Sequence, residues 1–176
     1  MSQKWDDKSR YGHFLRLRPF DRLFPTLNPV EELEIKHILK INHVGLRVRS
    51  LEVAQRFYES LGFELIAGPL GPEPAAILEH PSGVNINLIL NASADTPRTN
   101  LLMDVAAKHT GYTHMALEVT DLRAVEFEIL AAGIEITETV RLTSGAEFFF
   151  VRDPDDNVLE FHQPAYSLTS NLGDNQ

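Results

Sequence analysis

Cysteine is absent from this chain of 176 residues. Disulfides, thiolate metal sites and cysteine nucleophiles are therefore excluded. Long apolar runs are missing too: nothing approaches the roughly 20 residues that a membrane-spanning helix needs, and the first stretch, MSQKWDDKSRYGHFLRLRPF, holds no extended apolar segment. Positive charge is also short, with 16 Lys and Arg against 25 Asp and Glu, a net charge of −9. A chain so acidic repels nucleic acid and anionic membrane surfaces, so neither is expected as a partner. What is present is ordinary for a globular protein: 43% hydrophobic and 23% charged residues. The length suits one domain, or two small modules sharing a core. A soluble, cytoplasmic protein is expected.

The charge is unevenly spread. Residues 1–40 hold eight basic and six acidic side chains, a net of +2, which leaves −11 for the remainder. Within this leading segment Asn28 can cap a helix, with Pro29 at its first position and Glu31 and Glu32 in its first turn. NPVEELEIKHILK then reads as a short helix. The preceding HFLRLRPFDRLFPTL reads either as an arm that packs on the body or a second subunit, or as an extension without fixed structure.

From Ile41 onward the pattern sharpens. INHVGLRV alternates as a strand, Ser50 caps the helix LEVAQRFYESLG, and Gly62 suits its end. FELIAGP, EPAAILEHPSG and VNINLILNA follow as strands. A linker at 93–108, with a helical turn expected at 101–108, leads to a second round of the same pattern. YTHMALEV reads as a strand and Asp121 caps the helix LRAVEFEILAAG. IEITETVRL, AEFFFVRDP and NVLEFHQ supply three more strands. Placing His43 on His114 aligns HVGLRVRSLEVAQRFYESLGFEL with HMALEVTDLRAVEFEILAAGIEI without a gap, with six of 23 positions identical. Low identity joined to a repeated element order indicates a duplicated module.

Alternation along a strand then sorts the faces. Val44, Leu46 and Val48 face the first helix; His43, Gly45 and Arg47 face away. Met115, Leu117 and Val119 face the second helix; His114, Ala116 and Glu118 face away. Asn85 and Asn87 lie opposite Ile86 and Leu88, and Glu160 and His162 lie opposite Leu159 and Phe161. Each sheet thus has one helix-covered face and one face dotted with His, Asn and Glu. Alone, a histidine on a strand is more often a hydrogen-bonded structural residue than a ligand. Two at equivalent repeat positions, with a carboxylate on the matching face, point to a metal site. Phe148, Phe149 and Phe150 suit an apolar or aromatic ligand only in part, because alternate rings must serve as core. RDPDDN reads as a turn begun by Asp153 and Pro154. His13, His37, His80 and His109 read as surface residues.

INHVGLRV…LEVAQRFYESLGFEL, GYTHMALEVTDLRAVEFEILAAGIEI and FFFVRDPDDNVLEFHQ together resemble the vicinal oxygen chelate superfamily. Its members include glyoxalase I, extradiol dioxygenases, methylmalonyl-CoA epimerase, fosfomycin-resistance enzymes and bleomycin-binding proteins. The likeness covers about 70% of the chain, from Ile41 to Gln163. It implies an α+β fold of two tandem βαβββ modules, 41–92 and 111–163, forming a curved mixed-sheet cup. The segment 1–40, with its short helix, and a tail at 164–176 lie outside that domain. It also implies a small-molecule substrate, a homodimer and a divalent metal (Fe, Mn, Zn, Ni or Co). Ligand positions fall on His43, His114 and Glu160, with Glu160 also catalytic. Asn87 stands where glyoxalase I has a glutamate, as a weak ligand or the holder of a metal-bound water. His162 and Asn85 are possible support around the ligands. Ring cleavage would further expect a tyrosine where this chain has Phe150. Fosfomycin modification would expect a threonine where it has Gly45. Three readings stay open: a lyase or isomerase, an Fe(II) dioxygenase using the same triad, and a metal-free binder of the bleomycin-resistance kind.

Overall fold

The computed structural model describes residues 37–93, 95 and 99–165. The chain divides into two units, residues 1–40 and 41–176, and the second holds every helix and strand described below. The helix expected at 28–40 lies almost wholly outside the described residues; 37–40 are exposed and carry no helix.

Ten elements follow in order. β1 (Val44–Arg47), α1 (Leu51–Ser60), β2 (Glu64–Leu70), β3 (Ala75–Glu79) and β4 (Asn85–Ile89) form the first module. β5 (Met115–Glu118), α2 (Leu122–Ala131), β6 (Ile136–Arg141), β7 (Glu147–Arg152) and β8 (Val158–Gln163) form the second. The sheets run β1-β4-β3-β2 and β5-β8-β7-β6, so the two modules share one topology. In each, the first strand lies parallel to the last, and the other pairs are antiparallel. The βαβββ pattern expected from the repeat is the pattern found.

The helices begin where their caps dictate. Ser50 accepts from the Val53 N–H, and Asp121 accepts from the N–H groups of Arg123 and Ala124, meeting donors that the first turn leaves open. Each helix covers one face of its own sheet. Ala54, Tyr58, Ala76, Leu78, Ile86 and Leu88 fill the first module; Leu122, Ile129, Phe149, Val151, Leu159 and Phe161 fill the second, and all belong to one continuous core.

β2 departs from regular pairing. Its register to β3 shifts twice between Leu65 and Leu70, around a cis Gly68–Pro69 bond. Gly68 has φ +110°, and a Cβ there would lie 2.5 Å from the Ala75 carbonyl oxygen. Only glycine fits that bulge. The expected helical turn at 101–108 is one hydrogen-bonded turn, in which the Met103 and Asp104 N–H groups donate to the Asn100 carbonyl. Bends follow it rather than a helix.

Two contacts tie the modules together. The Tyr58 hydroxyl on α1 donates to Asp153 Oδ2 at 3.0 Å. Arg49 pairs with Asp155 at 2.7 Å, and its N–H donates to the other oxygen of the same carboxylate. Both acids lie in the turn that joins β7 to β8. That turn is organised by Asp153, whose Oδ1 accepts from the N–H groups of Asp155 and Asn157 while Oδ2 also accepts from the Asn157 amide.

Candidate metal site

Glu160 sits in β8, flanked by β5 on one side and β7 on the other, and is only 7% exposed. Burial of a carboxylate is costly unless its oxygens are met. Both are. Oε2 lies 3.0 Å from His114 Nε2, and Oε1 lies 2.7 Å from His162 Nδ1. His114 enters from the residue just before β5, where Ala116 is the register partner of Glu160. His162 is two residues along β8 on the same face. The sheet therefore gathers three of the expected residues on its open side.

Imidazole and carboxylate ligands bind at about 2.0–2.2 Å, so two of them at a right angle on one ion stand about 3 Å apart. The 3.0 Å between Nε2 and Oε2 matches that spacing and is equally the distance of a direct imidazole–carboxylate pair. The other nitrogen of His114 is oriented by its neighbour, since Nδ1 lies 3.0 Å from Thr113 Oγ1. That outer contact is the kind that fixes the ring of a ligating histidine.

His43 repeats the arrangement. Its Nδ1 lies 2.9 Å from Asn42 Oδ1, so the residue before it holds the ring and Nε2 is the nitrogen outside that contact. Asn87 shares this open face, with Gly45 as its register partner in β1. Gly45 places no side chain over it; even an added Cβ would meet nothing nearer than Ile89 at 4.0 Å. Asn85 donates to the Gly83 carbonyl at 3.4 Å, which holds the turn before β4. The structure does not bring His43 together with His114 and Glu160: among the described residues no three His, Asp or Glu side chains form a metal-holding group. The donor chemistry, two imidazoles and one carboxylate, fits a borderline divalent ion, but one chain gathers only two of the three, His114 and Glu160.

One feature went unread in the sequence. The polar residue directly before each histidine, Asn42 or Thr113, orients its ring, and the paired NH and TH dipeptides at equivalent repeat positions were the signal. The phenylalanines separate as their alternation implied. Phe149 is core, packed on Phe161, whereas Phe148 stacks on His162 (5.2 Å, 9°) and Phe150 meets His114 edge-on (5.6 Å, 81°). His80 is half-buried rather than a plain surface residue, with its ring 5.2 Å from Phe63 and Nδ1 bonded to Ser82.

Paired βαβββ modules with an imidazole–carboxylate pair on an open face define a class. The family model described as the Glyoxalase/Bleomycin resistance protein/Dioxygenase superfamily matches residues 40–161, and the chain belongs to that superfamily. Among solved structures, SMU.1112c is 26% identical over 71% of this chain and 98% of its own, with a TM-score of 0.59. Virulence protein STM3117 from Salmonella typhimurium is 27% identical over 72% and 98%, with a TM-score of 0.51. Lactoylglutathione lyase from Agrobacterium tumefaciens, 19% identical over 74% and 97% with a TM-score of 0.54, shares the fold. Comparison with curated proteins returns no match.

Proposed function

We propose that this protein is a divalent-metal-dependent enzyme of lyase or isomerase type, acting on a small oxygenated metabolite that binds through two neighbouring oxygens. It works as a homodimer, in which His43 of one copy completes the site begun by His114 and Glu160 of the other. The observation that carries this reading is the 3.0 Å spacing of His114 Nε2 and Glu160 Oε2.

The proposed dimer rests on where the open faces lie. Tyr58–Asp153 and Arg49–Asp155 join the modules through the α1 side and the β7–β8 turn, while His43 stays exposed. A second copy supplies what one chain does not gather. Asn87 arrives on the same face as His43 and offers an amide that can hold a water. A divalent ion in such a site polarises the bound oxygens as a Lewis acid. Glu160, the one carboxylate of the set, would take and return a substrate proton through Oε2, while His162 holds Oε1. Asn87 cannot share that task at neutral pH, so a single base is expected. The setting proposed is the cytoplasm; no helix among the described residues is long and apolar enough to cross a membrane.

The test is metal analysis of protein purified without chelators or metal resin, beside His43→Ala and Glu160→Ala. Close to one Mn, Zn, Ni or Co per chain, lost in both variants, supports the reading. Iron with oxygen uptake would move it to the dioxygenase branch. No metal, with both variants unchanged in stability, would leave a small-molecule binder.

A further inference from the structure

Phe148 and Phe150 are large apolar side chains outside the hydrophobic core. They stand on the open face of the second sheet, as register partners of His162 and Glu160. Cross-strand partners on one face have Cβ atoms about 5 Å apart, so both rings border the carboxylate and its imidazoles. The contacts form a chain: Phe148 lies flat on His162, Phe150 stands edge-on to Phe148 (5.6 Å, 82°), and Phe150 stands edge-on to His114. On the other flank of Glu160 the register partner is Ala116, a single methyl group. The carboxylate therefore has a wall of two rings on the β7 side and, on the β5 side, the His114 imidazole above the small Ala116.

We infer that Phe148 and Phe150 select the substrate, which carries an aromatic or flat unsaturated group beside its two chelating oxygens. The inference deepens the metal-chelation reading above and rests on it. A ligand whose two oxygens chelate an ion that His114 Nε2 and Glu160 Oε2 would hold sets its carbon body against these rings. A flat π-system gains an offset or edge contact there in addition to the buried area. A short aliphatic body gains little, and a hydroxylated one gives up water against two phenyl surfaces that return no hydrogen bond.

Two hydroxamates separate the wall from the metal. Acetohydroxamate and benzohydroxamate chelate through the same pair of oxygens and differ as methyl against phenyl. Full-length protein loaded with Co(II) is titrated with each by calorimetry, as wild type, Phe148→Leu and Phe150→Leu. Leucine keeps apolar volume and removes the ring. Benzohydroxamate is expected to bind wild type about tenfold more tightly than acetohydroxamate. In each variant that ratio falls several-fold, with acetohydroxamate affinity unchanged. Equal affinities in wild type, or the same ratio in both folded variants, overturn the inference and leave the chelation reading standing. Failure of both hydroxamates to bind protein that holds cobalt overturns the chelation reading, and the inference falls with it.

Discussion

Glu160 has two oxygens and two imidazoles beside them, and its behaviour follows from how they are shared. His162 holds Oε1 and is itself held flat against Phe148. Replacing His162 by Phe keeps a ring on that stack but removes the hydrogen bond. Metal affinity should then fall about 10–100-fold, the usual cost of losing such an outer partner, as read by competition with a chromophoric chelator. Asp153 makes the contrasting case. Burial pushes its carboxyl above the usual carboxylate range, and donors from Asn157, Asp155 and Tyr58 pull it only part of the way back. Between the unfolded value of 3.8 and that raised native value, the folded chain binds the proton more tightly than the unfolded one. This residue's contribution is therefore complete at low pH and lost as pH rises through the native value. Urea unfolding of wild type and Asp153→Asn from pH 4 to 7 should show the wild type's relative stability decreasing as pH rises. A relative stability that grows with pH would contradict this account. Tyr58 shifts in the same sense, because burial and then the nearby Asp153 charge hold its hydroxyl protonated.

At the scale of elements, Gly68 is the most demanding position. Alanine there would have to adopt φ +110° and meet the Ala75 carbonyl at 2.5 Å. The Gly68→Ala variant should lose at least about 1–3 kcal/mol by urea titration, from strain at a backbone angle that side chains avoid. Elements were otherwise the most legible part of the chain. Ser50 and Asp121 announced the helices, and strict alternation assigned His43, His114, Glu160 and His162 to open faces, because both signals are local. The turn after Asn100 is shorter than the stretch expected for it, because the Asn100 side chain meets the first N–H groups but nothing local extends the turn. The clasp of Arg49 and Tyr58 onto Asp155 and Asp153 was invisible for a different reason: its partners are 106 and 95 residues apart in sequence. RDPDDN was recognised as a turn, but nothing local says what a turn will grip. The same limit applied to the triple phenylalanine, whose alternation was noted without the register that sets Phe148 and Phe150 beside His162 and Glu160.

For the whole molecule, a site shared between copies makes a quantitative prediction. His43→Ala and Glu160→Ala each spoil every site in their own homodimer. In a mixed dimer both changes fall in one site and leave the other intact. Unfolding an equimolar mixture and refolding it should restore metal binding to about a quarter of the wild-type level, since half the dimers are mixed and each has one good site. Cups closed within single chains would restore none.

Asn87 and Glu160 hold equivalent positions in the two modules, and that difference has a historical side. If a lone βαβββ unit once paired with itself, any change at that strand position would have altered both walls of the cup at once. Joining two copies in one chain released that constraint. One half could keep the acid while the other gave it up, and only then could a symmetric cup acquire a reactive side and a passive one.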